Sequence, residues 1–133
     1  MSDIPAISPF FRVQIDIARD EDWYDPLPQL AEQDGTPIDL TGADLRLTIR
    51  PTFDHAVKLL ELSADAGVFF DDPARGLAHF AVTRADIQAA LPLRPNGEAA
   101  SYDHFLVLDQ PGRFPRHREI WRGPLVVHPA RTA

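Results

Sequence analysis

Histidines and carboxylates are the residues of this chain that could do chemistry, so their spacing is weighed first. The five histidines, His55, His79, His104, His117 and His128, form no His-x-His or His-x3-His pair, and no cysteine is present to complete a zinc set. Scattered in this way they read as surface or core-edge histidines, the alternative being a site assembled only in three dimensions. The acids gather at Asp20, Glu21 and Asp22, at Asp71 and Asp72, and at Asp34 with Asp39. A hydrolase built on paired carboxylates holds two acids across a cleft with their pKa values pushed apart, whereas neighbouring acids in turns are usually solvated. EF-hand spacing is absent, which leaves weak calcium binding by Asp20 to Asp22, or by Asp71-Asp72, as the metal chemistry open to them. Ser101, Asp103 and His104 have the residue types of a hydrolytic triad, but neighbours on one strand alternate faces and cannot converge. No Gly-x-Ser-x-Gly, Walker or dinucleotide-binding pattern occurs. The chain is therefore expected to carry no catalytic site, no cofactor and no small-molecule substrate.

Two other groups are candidates for binding. Arg113, Arg116, His117 and Arg118 form a basic cluster on an otherwise acidic protein. It either docks onto an acidic patch of a partner or is a solvated hairpin tip. Trp23 with Tyr24, or Trp121, would suit a stacking platform for a carbohydrate, the alternative being core fillers between sheets.

Composition narrows the partners. The formal charge of −7 disfavours nucleic acid, whose backbone is bound by clustered Lys and Arg, and disfavours an anionic membrane surface. The first ten residues have no basic region leading into an apolar one, so no signal peptide is expected, and no run approaches the ~20 apolar residues of a membrane span. At 133 residues and 44% hydrophobic content, one domain with a real core is expected. Thirteen prolines against seven glycines favour short strands joined by stiff connections over helices.

The elements that must position these side chains follow from pattern. Residues 1–9, punctuated by Pro5 and Pro9, read as an arm, and residues 10–133 as a single domain. Phe11, Val13, Ile15 and Ile17 alternate with polar residues and predict the first strand. A second, irregular strand runs from Trp23 to about Glu32, with Pro26 and Pro28 assigning it to an edge or a bulged path. The turns Asp34-Gly35 and Thr41-Gly42 then lead into an alternating strand with Leu45, Leu47 and Ile49 on one face. Further strands are expected at Val57–Leu62, Val68–Phe70 and Leu77–Val82. Thr83-Arg84-Ala85-Asp86 resembles a capping box and predicts one helix through Leu91, stopped by Pro92. A long central strand from about Ala100 to Leu108 comes next, then a last strand in two halves, Glu119 to Trp121 and Leu125 to His128, broken at Gly123-Pro124. Seven or eight strands with turns between them predict an all-β antiparallel sandwich.

This pattern resembles a known family. Arg-Asp-Glu-Asp-Trp at 19–23, Asp-Gly-Thr-Pro-Ile-Asp-Leu-Thr-Gly-Ala at 34–43, an alternating strand ending Ile49-Arg50, Tyr102-Asp103, and Gly123 to Val127 are similar to the immunoglobulin-like N-terminal domains of phage baseplate upper proteins and to short stand-alone versions of them. Asp20 stands where that family commonly has glycine. The resemblance spans residues 10 to 130 and implies an immunoglobulin-like sandwich whose fold-defining turns hold Asp34, Gly35, Asp39, Leu40, Thr41 and Gly42. It implies a non-enzymatic subunit of a tailed-phage or prophage-derived virion, made in the bacterial cytoplasm and placed in the neck, tail or baseplate. Its partners would be other virion proteins and copies of itself in a symmetric assembly. The contacts expected are Pro5, Ile7, Pro9 and Phe10 in the arm and Arg113, Arg116 and Arg118 at the basic tip. A capsid decoration protein of the same fold, a carbohydrate-binding sandwich and a metal-dependent hydrolase on such a scaffold are the alternatives.

Overall fold

The computed structural model describes residues 11–130. The arm, with Pro5, Ile7, Pro9 and Phe10, lies outside them. The strands are β1 (Phe11–Arg12), β2 (Ile15–Ala18), β3 (Trp23–Pro26), β4 (Asp44–Arg50), β5 (Leu60–Ala64), β6 (Gly67–Asp72), β7 (Leu77–Val82), β8 (Ala100–Asp109) and β9 (His117–His128). One helix, α1 (Arg84–Ala90), follows β7. The expected all-β class, with a single short helix, is what the chain adopts.

Strand order explains the core. β4 pairs β8 and β8 pairs β9, all antiparallel, while β3 pairs β7 and β7 pairs β6, also antiparallel. With β4, β8, β9 as C, F, G and β3, β7, β6 as B, E, D, this is the strand order of the two immunoglobulin sheets. β5 joins them, because its first residues pair β4 and its last two pair β6. The result is one sheet curled into a nearly closed barrel, open between β2 and β3. The expected antiparallel arrangement is corrected to a mixed one: β1 and β2 run parallel to β9, and β5 runs parallel to β6. A parallel partner for the last strand is invisible to local pattern, since the two segments lie more than a hundred residues apart.

Alternation sets which side chains face inward. Leu45, Leu47 and Ile49 of β4, Ala78, Phe80 and Val82 of β7, and Tyr102, His104, Leu106 and Leu108 of β8 are all buried. Each large apolar group among them contributes roughly 1.5–3 kcal/mol by leaving water. At one end of the barrel α1 brings in Ile87 and Leu91. At the other end, residues 27–40 bring in Leu27, Leu30, Ile38 and Leu40. Thr83 caps α1 as expected, its hydroxyl accepting from the Asp86 amide. The Tyr102 hydroxyl donates to the Pro92 carbonyl, a tie from the start of strand F back to the preceding loop, as in the tyrosine corner of immunoglobulin sandwiches.

Three local expectations are corrected. The second strand ends at Pro26, at the sheet edge where a proline is tolerated. Beyond it the chain is held by single backbone bonds, Leu27 to Ala78 and Leu30 to Gly76. The strand expected from Val57 begins only at Leu60. The last strand is continuous through Gly123-Pro124, and the first is interrupted instead. The registers Arg12 with Arg122 and Ile15 with Leu125 leave residues 13–14 opposite Gly123-Pro124. A Cβ on Gly123 would lie 2.1 Å from the Val13 carbonyl oxygen, so the glycine is what lets the outer strand cross so close. Gly76 has the same role under the 27–40 segment. It sits at φ 71°, where a Cβ would meet the Leu30 oxygen at 2.5 Å.

Candidate functional site

The strand directions divide the loops between two ends. The 110–116 loop between β8 and β9 lies at the end closed by residues 27–40. The open seam between β2 and β3 lies near the end closed by α1.

At the first end, the fold-defining turns are built as their residues predict. The Asp34 carboxylate accepts from the Thr36 amide and the Asp39 carboxylate from the Thr41 amide, both at 2.9 Å. Thr36 lowers the pKa of Asp34 chiefly through that amide, and Thr41 lowers that of Asp39 through hydroxyl and amide together. The stretch is fastened to the neighbouring hairpin. Arg118 donates to both Glu32 oxygens, at 2.9 and 3.2 Å, and to the Gln110 side-chain oxygen, whose amide nitrogen reaches the Asp39 carbonyl.

The basic tip is thus not one cluster of free cations. Arg118 is consumed by Glu32. Arg116 donates to Asp109 at 2.6 Å and, through that bond, holds the Asp109 pKa below its usual value. His117 stands 3.6 Å from the same carboxylate. Arg113 is exposed and, among the described residues, has no side-chain ion pair. Beside it Phe114 is 100% exposed.

At the other end, the seam forms a cleft of about 410 Å³ lined by Asp16, Glu21, Asp22, Trp23, Tyr24 and His128, among others. Asp16 accepts from His128 Nε2 across 2.9 Å. Asp22 accepts from the Arg84 amide at the start of α1. Arg19 reaches the Gln88 and Leu91 carbonyls at the other end of the helix, where a cation complements the helix dipole. The acidic run that sequence reads as a solvated turn is thus one wall of the cleft. Tyr24 is 65% exposed there. Its ring lies 4.9 Å from that of His79, which in turn stacks on Phe69 at 5.5 Å. Trp23 and Trp121 are buried, which corrects the idea of either as an exposed sugar platform. Trp23 packs on Phe80 with ring centroids 5.3 Å apart.

The histidines separate into two kinds. Four stand beside an aspartate brought from a neighbouring segment: His55 with Asp103, His79 with Asp71, His117 with Asp109 and His128 with Asp16. Among the described residues no serine or threonine hydroxyl is hydrogen-bonded to any of them, and no three His, Asp or Glu side chains converge on a common point. The fifth, His104, is fully buried with neither ring nitrogen hydrogen-bonded, and Trp121 Nε1 is likewise buried without a partner. Burial lowers the His104 pKa to about 4, against smaller opposing effects of the Gly123 and Pro124 backbone and of Asp103.

Among the described residues no helix is long and apolar enough to cross a membrane. The chain matches no family model and no curated protein sequence.

Proposed function

We propose that this chain is a non-enzymatic structural subunit of a tailed-phage or prophage-derived particle, acting as an attachment module that bridges neighbours through its ends. The observation that carries the reading is the placement of two exposed phenylalanines. Phe114 stands at the tip of the β8–β9 loop, and Phe53, 89% exposed, stands in the β4–β5 loop at the opposite end. A large apolar side chain held in water at each end of a rigid sheet suits protein contact at both ends. The resemblance of residues 19–23 and 34–43 to phage baseplate domains supports the same class. The polar chemistry near the turns supports it too, since those carboxylates and arginines are engaged in holding the fold.

The test is particle composition. Particles purified from a lysogen or infected culture carrying the gene are expected to contain the protein at fixed stoichiometry through a density gradient. Localisation by antibody labelling then assigns neck, tail, baseplate or capsid surface. Recovery of the protein wholly in the particle-free fraction would sink the proposal.

A further inference from the structure

We infer that the exposed Arg113–Phe114 tip of one copy docks into the acidic seam cleft of a second copy, giving head-to-tail self-association. This deepens the attachment reading by naming one partner, a second molecule of this chain, and the two surfaces that meet.

Three observations converge on it. The first is charge. Arg113 has no ion pair of its own among the described residues, while the cleft presents Asp16, Glu21 and Asp22 around a single histidine. Opposite charge at facing surfaces steers encounter and fixes register. The second is shape. Phe114 projects wholly into solvent, and the cleft, about 410 Å³ with Tyr24 as an exposed aromatic wall, has room for a phenyl ring with a guanidinium beside it. Arg113 would find carboxylates and a ring face together there. The third is direction. β9 runs from His117, next to the tip, to His128, in the cleft. At ~3.3 Å per residue that separates tip and cleft by roughly 36 Å. The two surfaces cannot meet within one molecule, and each stays available when the other is filled. Such a contact is heterologous, so it closes into a ring or extends as a string according to the rotation it imposes. One loop in one cleft is a small interface, so the affinity of an isolated pair is modest and gains from repetition in an assembly.

The test is sedimentation velocity on the purified chain across a concentration series at low and at high ionic strength. The weight-average mass is expected to rise with concentration at low salt and to fall back at high salt. Phe114→Ser and Arg113→Glu are expected to weaken association by about tenfold or more, with unchanged melting temperature because both side chains stand in solvent. Asp16→Lys in the cleft should do the same. A mixture of Arg113→Glu with Asp16→Lys, each monomeric alone, should associate again, since an intact tip then meets an intact cleft. A chain that stays monomeric at the highest concentration overturns the proposal. So does an oligomer that Phe114→Ser leaves intact. These outcomes bear on the self-contact alone, because particle incorporation through another partner would be unaffected.

Discussion

Among the described residues, His104 is the most deeply buried polar side chain of this sandwich. It occupies an inward position of β8 opposite Gly123 and is wholly buried there. Its neutral form is therefore the folded form. An unfolded histidine takes up a proton near pH 6.5, whereas this one does so only near pH 4. Stability must fall as pH drops from about 6.5 to 4, by up to about 3 kcal/mol, and the loss from this group levels off below that. Further loss in stronger acid belongs to carboxylates with lowered pKa, namely Asp34, Asp39 and Asp109. His104→Leu should remove the upper part of this dependence. The variant is expected to melt higher than the parent at pH 5, because it also removes two unpaired buried nitrogens. Thermal melts of both proteins between pH 7 and pH 4 check this, and parallel curves would refute it.

At the scale of elements, the join between the 27–43 stretch and the β8–β9 hairpin does the most to define one end of the molecule. Arg118 binds Glu32 in two-pronged fashion and shares Gln110 with the turn at Asp39. A double-mutant cycle of Arg118→Ala with Glu32→Ala is expected to give a coupling of about 1 kcal/mol or more. Arg116→Ala, at a more exposed pair, should change stability much less than Arg118→Ala does. Equal effects at the two arginines, measured by denaturant unfolding, would argue against this division of roles. The same element marks the limit of the sequence. Asp34-Gly35 and Thr41-Gly42 are legible as turns, and Thr83 is legible as a cap, because the groups that bond are two or three residues apart. β4, β7 and β8 are legible because alternation records which face is buried. The partner of Arg118 lies 86 residues away, so local pattern leaves it in an unpaired basic cluster. Gly123-Pro124 reads as a break for the same reason: the interruption at 13–14 that absorbs it belongs to another strand.

For the molecule as a whole, the open seam is where the curled sheet has unpaired strand edges. β8 lies between two long partners, whereas among the described residues β3 pairs only β7 and β2 pairs only β9. Free edges of this kind invite pairing with another chain unless charge or proline blunts them. Here Asp16, Glu21 and Asp22 line the opening, and Pro26 ends β3. That acidity keeps two seams from zipping together while leaving the cleft receptive to a cationic loop. The arrangement predicts a gradient of hydrogen exchange in the monomer. Amides of Tyr102 to Leu108 should open only with global unfolding, while those of Trp23 to Asp25 and Asp16 to Ala18 exchange at least ~100-fold faster. At low salt and high concentration, protection should rise at residues 16–18, 22–24 and 112–114 together, and not at Phe53. Exchange as slow at the seam as in β8 in the dilute monomer would mean that the edges are already covered. A rise confined to one end would mean that copies meet like end to like end, against a tip-in-cleft contact.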